Sequence, residues 1–249
     1  MIRIKEAASR RFLIIKLWLQ GSVSFLQMFY ILRPGSMRPR KYNSSVRLFG
    51  HPFVAQLGEL SNFLDFVYQI VYRNQYHIDL IKENDIVVDA GANMGIFSIF
   101  VAVKHPHATI YAFEPTPSTF TALKENVKYY PNIKVFNCGL GEREKMASVI
   151  TASGSGGNYI GEGGTPIEIK TIDGLNIPVD FIKMDVEGYE RNILKGAAET
   201  IKKYKPIIAM SAYHKPDDVT ELPKLLNSIA PYDCELHHDC EEDFICKPK

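Results

Sequence analysis

The stretch Ile86-Val87-Val88-Asp89-Ala90-Gly91-Ala92-Asn93-Met94-Gly95 decides the fold. Three consecutive β-branched residues read as a buried strand, and the turn after them leads directly into an apolar helical pattern from Phe97 to Lys104. A strand, a glycine turn and a helix in that order make the first half of a βαβ unit. The glycines allow the backbone a close approach to a ligand, and the helix start points its free N–H groups the same way. A dinucleotide fingerprint would read G-x-G-x-x-G, whereas Ala92, Asn93 and Met94 make this turn G-x-x-x-G, which weakens a claim on a pyrophosphate.

Outward from this turn the pattern repeats. Ile110 to Phe113, Ile133 to Phe136, Phe181 to Met184 and Ile207 to Met210 read as further strands, with helices at Ser118 to Tyr129, Arg191 to Tyr204 and Pro216 to Ile229. The alternation predicts an α/β, Rossmann-like, mostly parallel doubly wound sheet, whose ligand crevice lies beyond the carboxyl ends of its strands. Cys234 to His238 with Phe244 to Lys247 predict an antiparallel hairpin at the C-terminal edge. Ser148 to Thr151 with Pro166 to Lys170 predict a second hairpin around a glycine-rich loop.

Ahead of this domain, Val46 to Leu48 and Phe53 to Gln56 flank Gly50 and Pro52 as a short hairpin, and Phe63, Phe66, Val67 and Ile70 mark a helix from about Leu60 to Tyr72. The expected organisation is therefore residues 1–40 as an amphipathic helix with a basic linker, 41–84 as a cap or lid, and 85–249 as the main domain. The apolar run from Phe12 to Leu32 follows Arg3, Lys5, Arg10 and Arg11, but Lys16, Gln20, Gly21, Ser22, Ser24 and Gln27 interrupt it too often for a spanning helix. No A-x-A-like cleavage site follows it, so the segment is expected to stay on the chain. Two readings remain open for residues 12–32: packing on the domain or on another subunit of a homo-oligomer, and peripheral contact with a membrane surface. The expected location is cytoplasmic, with the inner face of a membrane as the variant.

Composition sets outer bounds. With 249 residues, 46% of them hydrophobic, the chain can build one ordinary core, and disorder or coiled coil is excluded. A net charge of +1 lacks the basic excess of a nucleic-acid binder, so no nucleic-acid partner is expected. Cys138, Cys234, Cys240 and Cys246 include no C-x-x-C pair, which indicates neither a disulfide scaffold nor a zinc ribbon; a reducing compartment is the simpler reading. The grouping of the last three with His237, His238 and Asp239 matches no standard metal spacing.

The crevice residues follow from the strand ends. Glu114, 25 residues beyond Asp89, closes the second strand in Phe113-Glu114-Pro115, where a carboxylate can accept from both hydroxyls of a ribose. Both NAD and S-adenosylmethionine carry one, and the looser glycine turn favours the phosphate-free cofactor. Asp185, Glu187 and Glu190 crowd the turn after the fourth strand. The two glutamates also suit a helix N-terminus, whereas Asp185, at the end of a buried strand, needs a cationic or hydrogen-bonding task.

On these residues the sequence resembles the FkbM-type family of class I, S-adenosylmethionine-dependent methyltransferases. The resemblance is carried by Val88-Asp89-Ala90-Gly91-Ala92-Asn93-Met94-Gly95, Ala112-Phe113-Glu114-Pro115, Thr171-Ile172-Asp173, the run from Phe181 through Asp185-Val186-Glu187-Gly188-Tyr189-Glu190, and Tyr213-His214-Lys215-Pro216. It extends from about Val46 to the C-terminus. Tyr189 departs from the family's usual alanine, which touches only local pocket shape. The resemblance implies a class I methyltransferase fold, S-adenosylmethionine as cofactor, and methylation of a hydroxyl, often on a sugar or natural product. The expected cofactor-side residues are Asp89, Gly91, Asn93, Gly95, Glu114, Pro115, Cys138 and Asp185, and the expected catalytic residues are Asp185, His214 and Glu187.

The turn after the fourth strand reads Asp185-Val186-Glu187-Gly188 and lacks the Asn/Asp-Pro-Pro-aromatic turn used for planar amines, so a hydroxyl acceptor on a small molecule or saccharide is favoured. A hydroxyl needs a base as its bond to carbon forms. His214, just past the fifth strand, is in place for that, which predicts a rate rising with pH near about 6.5. A divalent metal at Asp185 and Glu187 is a variant that the sequence does not favour. An NAD-dependent oxidoreductase and a non-catalytic S-adenosylmethionine-binding module are the alternative readings.

Overall fold

The computed structural model describes residues 45–54, 63, 65–151, 157–238 and 240–249. The described residues open with the hairpin β1 (Ser45–Leu48) and β2 (His51–Val54), then a single π-helical turn, Val67–Tyr72, and a 3₁₀ turn, Ile78–Leu80. β3 (Ile86–Ala90), α1 (Ile96–Lys104), β4 (Thr109–Phe113), α2 (Pro117–Val127) and β5 (Ile133–Phe136) follow the predicted alternation. A smaller unit comes next: β6 (Gly139–Leu140), β7 (Lys145–Ile150), β8 (Tyr159–Ile160) and β9 (Thr165–Lys170). The chain then runs through α3 (Ile172–Leu175), β10 (Phe181–Met184), α4 (Glu190–Lys195), α5 (Ala198–Tyr204), β11 (Ile207–Ser211), α6 (Asp218–Ile229), β12 (Tyr232–His237) and β13 (Asp243–Pro248).

Among the described residues the main sheet has the order β12-β13-β11-β10-β3-β4-β5. The five strands from β11 to β5 are parallel, and β13 pairs antiparallel with both β11 and β12, so the expected edge hairpin is present. Order reverses between β3 and β10, which places the switch-point crevice at Ala90 and Met184. The parallel strands are apolar on both faces because helices cover both; Phe181 to Met184 are all buried. The second predicted hairpin appears as β7 against β9, with Val149 opposite Thr165.

The segments ahead of β3 share the core of the main domain. Leu48, Phe53, Phe63, Val67, Ile70 and Tyr76 are buried in one cluster with Phe97, Ile99 and Leu123. Asn126 on α2 fastens the hairpin to the glycine turn after β3: its amide accepts from Val54 N at 2.6 Å and donates to Val54 O and Met94 O.

Three expectations change, and the helix ahead of β3 holds in a different winding. The helix predicted over Arg191 to Tyr204 is two helices, because at Gly196 the backbone comes against Gly141, leaving no room even for a Cβ. The last helix starts at Asp218 rather than Pro216. The helix expected from about Leu60 to Tyr72 is helical at each of its described residues, 63 and 65–72, with Val67–Tyr72 wound as a π-helix. Cys234 and Cys246 are disulfide-bonded between directly paired positions of β12 and β13, so they are not the free thiols that their spacing suggested; Cys138 is a buried free thiol. The helix and linker expected in residues 1–40, and Asp239, lie outside the described residues.

Candidate active site

The main cavity opens where the sheet order reverses. Its floor is the turn Gly91-Ala92-Asn93-Met94 after β3, one wall is Glu114-Pro115-Thr116 after β4, and the opposite wall is Asp185-Val186-Glu187 after β10. Phe66 and Ile70 from the segment before β3, and Leu140, Val149 and Ile160 from the small sheet, supply apolar sides. Gly91 is required by the strand ends themselves: at φ +77° a side chain there would put its Cβ 2.0 Å from the Asp185 carbonyl oxygen. The glycine turn is thus shaped by its packing against the end of β10.

Glu114 is 6% exposed, and both of its oxygens are engaged by backbone: Oε2 accepts from Asn93 N at 3.0 Å and Oε1 from Thr116 N at 2.9 Å. Burial pushes its carboxyl above the usual carboxylate range, against these two N–H groups. Asn93 adopts φ +51°, which turns its N–H toward that carboxylate.

The wall after β10 is a knot of charge around His214. Its Nδ1 lies 2.9 Å from Glu190 Oε1, and its Nε2 lies 3.5 Å from Asp185 Oδ1 and 3.6 Å from Glu187 Oε2. Burial alone would lower the imidazole pKa. The hydrogen bond and charge of Glu190, with the charges of Asp185 and Glu187, outweigh it and push it up to about 9. Glu190 is buried and also accepts from Val186 N and Gly188 N, so it is part of the turn's frame. Glu187 differs. It is a non-glycine residue at φ +54°, its Oε1 accepts from Gly157 N at 2.7 Å, and burial raises its carboxyl above the ordinary range. Backbone strain of this kind persists where the surroundings impose it.

Of the expected site residues, the structure brings Gly91, Asn93, Glu114, Pro115, Asp185 and Glu187 to the cavity. Four stand off it. Asp89 is fully buried beneath the turn, paired with Lys183 at 3.1 Å and bonded by Ser98 Oγ at 2.6 Å, and its carboxylate does not line the cavity. Gly95 starts α1 facing Leu123 of α2. Cys138 is buried, with its thiol pushed up to about 11, while its neighbours Gly139 and Leu140 line the cavity. His214 stands behind Asp185 and Glu187, and its raised pKa makes it an imidazolium at neutral pH, which replaces the expected titration near 6.5. Tyr76, Gln75, Tyr213, Lys183 and Asp243 were not singled out by sequence; of these only Tyr213 and Lys183 lay within quoted motifs.

The sequence profile of the Methyltransferase FkbM domain matches residues 89–239. The hexuronic acid methyltransferase AglP of Haloferax volcanii is 30% identical over 180 residues, covering 66% of this chain and 70% of that one. The 31-O-demethyl-FK506 methyltransferase FkbM of Streptomyces tacrolimicus is 46% identical over 46 residues, 18% of each chain. Among solved structures, methyltransferase FkbM from Methylobacillus flagellatus superposes with a TM-score of 0.54 at 25% identity; the match covers 67% of this chain but only 44% of that longer one. The fold is the class I, Rossmann-like methyltransferase fold. Nothing in these likenesses supports a nicotinamide-dependent oxidoreductase. Among the described residues no helix is long and apolar enough to cross a membrane.

Proposed function

Because the chain belongs to the FkbM methyltransferase family and is a methyltransferase, we propose that it transfers a methyl group from S-adenosylmethionine to a hydroxyl of a saccharide or saccharide-bearing acceptor. The observation that carries the reading is the placement of two functions on opposite walls of one cavity. Glu114 stands on one wall, and Asp185 with Glu187 on the other. The residues suit the cofactor: two backbone N–H groups hold Glu114 and leave its remaining lone pairs for a ribose diol, and the apolar sides suit a purine. S-adenosylmethionine, when bound, supplies an electrophilic methyl on its sulfonium sulfur.

The remaining work falls to the chain. The Gly91 turn and Glu114 fix the cofactor end, and the apolar walls exclude water. Glu187 is the base that takes the hydroxyl proton onto a carboxylate oxygen, since burial has raised its proton affinity and the turn aims it into the cavity. Asp185 receives a hydrogen bond from the acceptor and orients it. His214, as a cation behind both carboxylates, keeps two neighbouring negative charges compatible in one wall. We assign it a positioning role in place of the base role expected from sequence.

The named relatives support a hydroxyl acceptor, one being a hexuronic acid methyltransferase and another a 31-O-demethyl-FK506 methyltransferase. The test is incubation of the full chain with methyl-labelled cofactor and a cell-envelope extract, followed by identification of the labelled product. Label in an O-methyl ether of a sugar is the expected result. Label on an amine or a nucleobase overturns the reading.

A further inference from the structure

We propose that Tyr76 is a positioning residue for the transfer reaction: its hydroxyl fixes the orientation in which the Asp185 carboxylate meets the acceptor. The inference rests on the methyltransferase reading above and adds a residue from outside the segment that carries the family motifs. Tyr76 OH donates to Asp185 Oδ2 at 2.9 Å. The other oxygen, Oδ1, accepts from Tyr213 OH at 3.2 Å and faces His214 Nε2 at 3.5 Å. The carboxylate is therefore gripped at both oxygens by groups from two distant parts of the chain. Tyr213 and His214 come from the loop after β11, and Tyr76 from the segment before β3.

Of the two tyrosines that grip Asp185, Tyr76 is the buried one. It is 2% exposed, whereas Tyr213 is 39% exposed. Its ring meets Phe97 edge-on at 5.7 Å, and the Lys183 ammonium lies 5.4 Å from its centroid. A donor locked by packing presents its hydrogen bond with little reorganisation when the acceptor arrives. Burial, reinforced by the charges of Asp185 and Asp243, pushes the phenol well above its usual range, so the hydroxyl stays a donor.

The preceding residue does the same for a second carboxylate. Gln75 Nε2 donates to Asp243 Oδ2 at 2.8 Å, and Ser211 Oγ donates to Asp243 Oδ1 at 3.0 Å. Asp243 is 2% exposed and begins β13. The dipeptide Gln75-Tyr76 thus ties the end of β10 and the start of β13 to one short segment. That gives the segment ahead of β3 a part in holding the acceptor wall as well as in closing the core.

Tyr76→Phe tests this, because it keeps the ring on Phe97 and removes only the hydroxyl. In the full chain, kcat is expected to fall about 10- to 100-fold, the scale of one hydrogen bond to a charged group, while calorimetric affinity for S-adenosylhomocysteine changes less than about 2-fold. In an Asp185→Asn background the same substitution should cost no further rate, since the hydroxyl acts through Asp185. A purely structural tyrosine gives the opposite pattern: a rate loss that persists beside Asp185→Asn, together with a lowered melting temperature and weakened nucleoside binding. That pattern, or a Tyr76→Phe enzyme with the wild-type kcat, overturns the proposal. Should Tyr76→Phe fold poorly, 3-fluorotyrosine at position 76 provides the second arm, with a stronger donor on an unchanged frame; an unchanged kcat there also overturns it. A wild-type chain that methylates no acceptor fails the methyltransferase reading itself, and is told apart by the unsubstituted protein alone.

Discussion

Lys183 and Asp89 stand directly opposite one another on adjacent parallel strands, with Nζ 3.1 Å from Oδ1 and side chains 4% and 0% exposed. The ammonium aims its hydrogen bonds at the carbonyls of Gly91 at 2.8 Å and Ala90 at 3.4 Å, so Asp89 Oδ1 receives the charge without an aligned hydrogen bond. The pair therefore ties the glycine turn to β10 from below. Removing one partner leaves the other charge buried. Lys183→Met is expected to cost about 3–5 kcal/mol in urea unfolding, whereas Lys183→Met combined with Asp89→Asn should cost clearly less than the two single losses added together. Additive losses would show that the two side chains are stabilised independently.

What the sequence disclosed and what it withheld divide along the range of the interactions. The five parallel strands and the positions of Gly91, Glu114 and Asp185 were legible because each depends on its own apolar run and the turn directly after it. The role of Asp89 was not. Whether a carboxylate at a strand end meets a ligand or a buried lysine depends on which strand lies alongside and in what register, and Lys183 is 94 residues away. Tyr76 is a stronger case, since its partner Asp185 lies 109 residues on and nothing local marks the tyrosine as polar in purpose. His214 was found, but its protonation was not legible, because its pKa depends on three carboxylates whose distances only the fold sets.

Glu114 gives a binding prediction. Glu114→Gln replaces one acceptor oxygen by an amide N–H that would face a backbone N–H of Asn93 or Thr116, so the variant loses charge and misfits its turn together. Affinity for S-adenosylmethionine should fall very roughly 10- to 150-fold, the range for one charge-assisted group. Calorimetry reads it directly, and unchanged affinity would mean that the ribose is held elsewhere.

The pH dependence of stability has a definite sign. Asp243 is pushed up to about 7, first by burial and then by the Asp185 charge against the bonds from Gln75 and Ser211; His214 is pushed up to about 9. Both groups hold protons in the folded chain that the unfolded chain has already released, Asp243 above about pH 4 and His214 above about pH 6.5. Their contribution to stability is full below those ordinary values, and is lost as pH rises through about 7 for the acid and about 9 for the imidazole. Unfolding free energies measured from pH 4 to 10 should therefore fall in two steps. Asp243→Asn should remove the lower step and His214→Gln the upper; a wild-type curve that rises over this range would contradict both assignments.

The last prediction separates strain from chemistry at Glu187. Its φ of +54° costs a side-chain-bearing residue about 1 kcal/mol or more, and glycine escapes that cost while losing more chain entropy on folding. Glu187→Gly also removes a half-buried carboxylate whose pKa burial has raised, together with the acceptor for Gly157 N. The two effects oppose each other, so unfolding stability should change by less than about 1 kcal/mol. Activity should not be spared. Both Glu187→Gly and the near-isosteric Glu187→Gln should lose roughly 10²- to 10⁴-fold in transfer rate with cofactor affinity nearly intact, the contribution of a positioned base. Gln keeps the shape and the strain but cannot take a proton, and Gly keeps neither. Equal rate losses in the two variants, beside unchanged nucleoside binding, would tie the rate to the carboxylate rather than to the turn. A Glu187→Gln enzyme with the wild-type rate would pass the proton to Asp185 and leave the left-handed turn as a purely conformational feature.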